Sequence, residues 1–144
     1  MMVTVIDDEL LVVQLNGNFD AAALQRLARE LIEIERVRPV SKRIVFTEEV
    51  AAASITADEI TYAMGGTEPA VSVQTAFVVS NEFQYGIARM FQSVLETKKQ
   101  RIEIFRDLEA AGQWLKFDLM LLSKYAGDYK LVQEEGLTSE QRIW

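Results

Sequence analysis

Leu10-Leu11-Val12-Val13-Gln14-Leu15, followed by Asn16-Gly17-Asn18-Phe19-Asp20-Ala21, decides how the rest of the chain is read. Six residues rich in β-branched and aliphatic side chains form a strand, and Asn-Gly-Asn breaks it. Asp20 stands one position before a run in which Leu24, Leu27, Leu31 and Ile34 recur at helical spacing. Its carboxylate therefore caps a helix over residues 21 to 37, which Pro39 stops.

Working outward toward the N-terminus, Val3 and Val5 are a first strand joined to the second by the polar turn Asp7-Asp8-Glu9, an antiparallel hairpin. Toward the C-terminus, Arg43-Ile44-Val45-Phe46 is long enough for a strand and too short for a helix, and Thr47 to Ser54 reads as a loop. Thr56-Ala57-Asp58-Glu59 opens a second helix, with Thr56 or Ser54 as cap, acids in its first turn, Ile60 and Met64 facing inward, and Gly65-Gly66 at its end. Val71 to Val79 is a strand whose continuous apolar end, Ala76-Phe77-Val78-Val79, is that of a central strand covered on both faces. Ser80 or Asn81 caps a third helix with Phe83, Ile87, Met90, Phe91 and Val94 as its buried stripe and Gly86 allowing close approach to the sheet. Ile102 to Phe105 is a fifth strand, and Asp107 caps a fourth helix carrying Leu108, Ala111, Trp114 and Leu115.

The order is β-β-α-β-α-β-α-β-α. Strands separated by helices of this length require right-handed crossovers, so the expected fold is α/β: a mostly parallel five-stranded sheet with an antiparallel edge strand and four helices. After Lys116 the pattern changes. Phe117, Leu119, Met120, Leu121, Leu122 and Tyr125 are apolar nearly all round, so Phe117, Met120, Leu121 and Tyr125 are expected either to pack on their own domain or to form a dimer contact. The domain is expected over 1–126, with a polar tail over 127–144.

At 144 residues and 16.3 kDa the chain has the length of one domain, and roughly two-thirds of the surface of such a chain is buried on folding without disulfides or metals. It has no histidine and no cysteine. That excludes a Ser-His-Asp triad, a Cys nucleophile, thiolate or imidazole zinc sites and a redox pair. The net charge of −7 argues against nucleic acid or an anionic membrane as partner. Between Arg43 and Arg89 there is no basic residue, while Glu48, Glu49, Asp58, Glu59, Glu68 and Glu82 all lie there. Glu48, Glu49, Asp58 and Glu59 are thus the candidate face for a protein partner, which is a second protein or the chain itself. No basic leader and no apolar run of ~18 residues is present, so the expectation is a cytoplasmic chain that is not an integral membrane protein.

Leu11 to Ala21 resembles the opening of the STAS family, in which a hydrophobic strand runs into a Gly-x-apolar-Asp-Ala turn before the first helix. Phe83-Gln84-Tyr85-Gly86-Ile87-Ala88-Arg89-Met90-Phe91 and the segment Ile104 to Leu115 are more specifically similar to the SpoIIAA-like, or STAS/SEC14-type, bacterial domains. The likeness spans about residues 2 to 117. It implies a regulatory or protein-interaction module and not an enzyme. In the anti-sigma-factor antagonists of that family a serine in an Asp-Ser-Ser-Gly string at the start of the second helix is phosphorylated, and phosphate at a helix N-terminus meets free N–H groups and the helix dipole. Here the corresponding stretch is Ala53-Ser54-Ile55-Thr56, without the aspartate or glycine, which leaves Ser54 and Thr56 as candidate phosphoacceptors that also serve as caps.

The SEC14-type likeness implies an alternative, a carrier or sensor of a small apolar ligand. Met64, Phe77, Phe83, Tyr85, Met90 and Phe91 would line its pocket between the second and third helices, although such stripes are ordinarily core. For catalysis only carboxylates, hydroxyls, lysines and arginines remain. Glu48-Glu49 and Asp58-Glu59 are adjacent in sequence and point apart on a strand or helix, so neither makes an acid/base pair. No catalytic residue, metal site or cofactor is expected.

Overall fold

The computed structural model describes residues 1–65 and 69–118. Met120, Leu121, Tyr125 and the expected tail lie outside these. The elements are β1 (Met2–Ile6), β2 (Leu10–Asp20), α1 (Ala21–Val37), β3 (Lys42–Ser54), α2 (Ala57–Met64), β4 (Val73–Val78), α3 (Glu82–Leu95), β5 (Gln100–Phe105) and α4 (Leu108–Leu115). They form one sheet in the order β1-β2-β3-β4-β5, with β1 antiparallel to β2 and all other pairs parallel. This is the expected α/β architecture.

Alternation along the strands sorts two cores. Leu11, Val13, Leu15, Val45, Phe77, Val79 and Ile102 face one side, where α1 brings Leu24 and Leu27, α2 brings Ile60 and α3 brings Ile87, Ala88 and Phe91. Leu10, Val12, Ile44, Phe46, Ala76 and Val78 face the other, against Ala111 and Leu115 of α4 and Phe117. Three successive crossovers that step the same way across a sheet, all of one hand, put their helices on one face. That leaves the other face to α4.

Each helix starts with a side-chain cap. Asp20, Thr56, Asn81 and Asp107 accept from the backbone N–H three residues on, at Ala23, Glu59, Gln84 and Ala110. Because every helix follows a parallel strand, all four N-termini sit at the C-terminal edge of the sheet.

Four expectations are corrected. Residues 47–54 are not a loop: β3 runs on to Ser54 beside the far end of β2, so Asn16-Gly17-Asn18 does not end the second strand either. Two register shifts, between Gln14 and Asn16 and between Gly17 and Asn18, let β3 carry an extra residue each time. Gly17 adopts φ +67°, which a residue with a Cβ reaches only under strain. Phe83, expected in the buried stripe of α3, is 47% exposed, and its neighbour Gln84 is buried instead. Gly86 is not a point of close approach: it is exposed, and a Cβ there would meet nothing within 4 Å. Gly65 is the glycine that closeness requires, since a Cβ would sit 2.7 Å from the Thr61 carbonyl oxygen.

Candidate functional site

The C-terminal edge of the sheet gathers most of the residues singled out from sequence. β4 pairs only with Lys42 to Phe46 of β3, so the remainder of β3 and the end of β2 project past the sheet as a two-stranded ribbon. Glu48 and Glu49 lie half-buried at its base, each engaged in interactions with its surroundings. Ser54 is the last residue of the ribbon, exposed and in register with Asp20.

Thr56 is held in a capping box. Its hydroxyl accepts from Glu59 N–H at 3.1 Å, and its own N–H donates to Glu59 Oε1 at 2.9 Å. The Thr56 hydroxyl also donates to that carboxylate at 3.3 Å. Of the two candidate phosphoacceptors, then, Thr56 is committed to the cap and Ser54 takes no part in it. Asp58 and Glu59 occupy the first turn of α2 and face the positive end of its dipole. Together with Ala21, Leu24, Gln25 and the exposed Tyr62 they border a shallow depression between α1 and α2. Glu82 and Glu109 similarly stand in the first turns of α3 and α4. Part of the acidity of this edge therefore has a local cause, the N-termini of α2, α3 and α4, which favour negative charge.

Beneath the edge is a buried polar junction that the sequence reading missed. Gln84 Oε1 accepts from the Ser80 N–H and hydroxyl, each at 2.9 Å, and Gln84 Nε2 donates to the Glu48 carbonyl at 3.2 Å. The Thr47 hydroxyl donates to the Val78 carbonyl at 3.0 Å and lies 3.4 Å from Gln84 Oε1. One amide thus ties the β3 irregularity, the end of β4 and the first turn of α3. The signal was present: Asn81-x-x-Gln84 has the spacing of a capping box.

Phe83 is exposed on α3, and Tyr85 is half-buried against the helix-side core. The Arg106 guanidinium sits 5.2 Å from the Tyr85 ring centroid and donates to Glu82 Oε1 at 2.7 Å. Met90 is half-buried against the helix-side core, and Phe117 is buried in the α4-side core. Met64, Phe77 and Phe91 do line a cavity. It lies over the sheet toward the opposite end, where α1, the last turn of α2 and the far end of α3 meet.

The inner part, about 40 Å³, is bounded by Val13, Leu15, Leu27, Val45, Phe77, Phe91 and Ile102. It shares Leu31, Arg43, Met64, Leu95 and Gln100 with an outer groove of about 350 Å³. At the junction Arg43 pairs with Glu35 of α1, the two side chains being 13% and 23% exposed. The Arg43 Nε–H is buried with no hydrogen-bond partner.

Among the described residues no group of three or more acidic side chains is placed to hold a metal ion, and no helix is long and apolar enough to cross a membrane. No family model matches the chain, and no curated protein matches it either. Solved structures do. An uncharacterized protein of the DUF3478 family with a SpoIIAA-like fold, from Shewanella loihica PV-4, superimposes with a TM-score of 0.53 at 14% identity, covering 79% of this chain and 90% of that one. The anti-sigma factor antagonist SpoIIAA in its unphosphorylated form gives a TM-score of 0.53 at 14% identity, over 80% of this chain and 96% of that one. With the sheet order, the antiparallel edge and the helix placement already described, these two likenesses identify the fold of the chain as SpoIIAA-like.

Proposed function

We propose that this chain is a non-catalytic regulatory module that binds another protein through the C-terminal edge of its sheet. The observation that supports this most is the convergence there of an irregular ribbon, exposed Tyr62 and the carboxylates of Asp58 and Glu59 on a rigid base locked by Gln84. A rigid base lets a surface bind without the cost of ordering it first. The fold is shared with an anti-sigma factor antagonist, and the absence of histidine and cysteine removes the commonest catalytic groups. The partner that fits carries a basic contact surface. In this reading Ser54 is the hydroxyl that a modifying enzyme would reach, since Thr56 is tied into its cap.

The test is site-specific photocrosslinking in the cell of origin, with the photoreactive residue at Tyr62 or, as control, at Lys98 near the other end of the sheet. A single polypeptide crosslinked from Tyr62, absent from Lys98 and lost on Asp58→Lys supports the reading. Equal patterns from the two positions overturn it.

The cavity favours a second reading, that of a carrier or sensor of a small apolar ligand. Its outer groove alone falls within the volume range of small-molecule sites. A saturable change in the spectrum of the Met64 methyl group on adding a ten-carbon amphiphile supports it, and an unresponsive Met64 overturns it.

A further inference from the structure

Resting on the first reading, we infer that the partner docks an amphipathic helix of its own in the furrow between α1 and α2, with basic residues in the last turn of that helix set against Asp58 and Glu59. Two recesses lie in line along this seam. The upper one, about 240 Å³, is the depression at the sheet edge bordered by Ala21, Leu24 and Gln25 of α1 and by Asp58, Glu59 and Tyr62 of α2. The lower one, about 350 Å³, is the outer groove, to which Ala28, Leu31 and Ile32 of α1 and Ala63 and Met64 of α2 contribute. On α1 the lining residues keep to one face of the helix from Ala21 to Glu35, over roughly 21 Å or about four turns.

The furrow has the form that receives a helix. Because α1 and α2 each follow one of two parallel strands, they run the same way and the seam follows their axes. Its floor is made of small or buried side chains, Ala21, Leu24, Ala28 and Ala63, while the large apolar side chains at its rim stand in water: Tyr62 is 84% exposed and Ile32 50%. A helix with apolar anchors at i, i+3, i+4 and i+7 covers both rims at once. An extended peptide would need an open sheet edge, which neither helix offers.

Charge sets the direction. In the lower recess Glu35 is paired with Arg43, and Arg36 with Glu33, so that end is balanced. At the upper end no basic side chain stands among the lining residues with Asp58 and Glu59. Tyr62, four residues after Asp58 and hence on the same face of α2, adds an aromatic ring on which a cation can stack. Arg29 flanks the stripe midway, four residues after Gln25 and three before Ile32, and opposes cations there. Basic residues of the partner therefore belong at the upper end alone. Cations stabilise the last turn of a helix, so the bound helix carries them at its C-terminus and lies antiparallel to α1 and α2.

The experiment extends the crosslinking to a second position. The full chain carries the photoreactive residue at Tyr62 or at Ile32, in the cell of origin, and the crosslinked peptides are sequenced by mass spectrometry. The expected result is one polypeptide reached from both positions within a single segment whose apolar residues recur at spacings of three and four. The site reached from Tyr62 should lie roughly two turns C-terminal to that reached from Ile32, with lysine or arginine beside it. With the probe at Tyr62, Ile32→Glu should cut the yield at least tenfold, since an exposed side chain can be exchanged without unfolding the chain. A Tyr62 crosslink that survives Ile32→Glu, or sites in separate segments or in the reverse order, overturns the inference alone, leaving a partner that stays at the edge. Crosslinks from both positions into this chain itself also overturn it, in favour of self-association. A pattern from Tyr62 that is empty or the same as that from Lys98 overturns both the inference and the reading beneath it.

Discussion

At one end of the helix-covered sheet face the amide of Gln84 is engaged through both its oxygen and its nitrogen; toward the other end Arg43 keeps a buried N–H that meets nothing. Both are buried polar groups beneath the same three helices, and their surroundings differ in packing. Around Gln84 the chain closes on itself, bringing a strand irregularity, a strand end and a helix start within hydrogen-bonding distance. Around Arg43 the polar group has one ionic partner and borders a cavity. A buried polar group satisfied on all sides fixes a surface above it, whereas one left partly unmatched beside empty volume marks a place suited to something else.

A substitution at Gln84 carries the largest expected effect. Gln84→Ala removes the acceptor for the Ser80 N–H and hydroxyl and the donor to the Glu48 carbonyl. Each buried group so orphaned costs about 1–3 kcal/mol, and water entering the space recovers part of that, so a loss of about 3 kcal/mol is expected. Urea unfolding measures it. A loss below about 1 kcal/mol would mean that the junction holds nothing rigid and that the two ends do not differ.

Gly17→Ala probes the ribbon above that junction. With φ at +67° and open space around the Cβ position, the cost is backbone strain alone, about 1 kcal/mol. Gly86→Ala is the matched control, because Gly86 lies in a helix interior with room for a methyl group, and it should stabilise by about 0.8 kcal/mol. Thermal unfolding of the two variants should move in opposite directions. Movement in the same direction would remove the conformational distinction between the two glycines.

Thr56→Ala and Ser54→Ala separate the two hydroxyls of the edge. The first loses a cap and half of a capping box, for about 1 kcal/mol. The second, exposed and outside the cap, should fall within about 0.5 kcal/mol of the parent chain. Equal losses would place Ser54 in the structural role and leave the edge without a spare hydroxyl.

Most of the fold was legible because its signals are local. Asp20, Asn81 and Asp107 announce helix starts by type and position, and the apolar alternation through Leu10–Leu15 and Ala76–Val79 marks strands whatever lies around them. The second half of β3 was not legible, since Glu48-Glu49 and Ala51-Ala52-Ala53 carry no alternation once extra residues shift the register. The cavity was half legible. Met64, Phe77 and Phe91 line it, whereas Leu27, Leu31 and Arg43, brought there from α1 and β3, carry no local signal, and Phe83, Tyr85 and Met90 are not in its lining. Arg43 reads in sequence as an ordinary cation at the start of a strand. Its burial depends on Glu35, eight residues earlier across a helix end and a turn, and a periodicity argument does not see such a pairing.

The smallest effect is expected where the buried charges are. Arg43 and Glu35 gain from each other, but both have left water to do so, and replacing such a pair by apolar side chains is often neutral or stabilising. Here one N–H of Arg43 adds a further cost because nothing receives it. The double variant Arg43→Met with Glu35→Met should therefore unfold within about 1 kcal/mol of the parent chain. Arg43→Met alone should be the less stable, because the remaining Glu35 is 23% exposed and loses its partner. Urea unfolding of both single variants and the double gives the coupling directly. If the double variant loses as much as Gln84→Ala, the Arg43–Glu35 pair is a structural joint like the one at the other end.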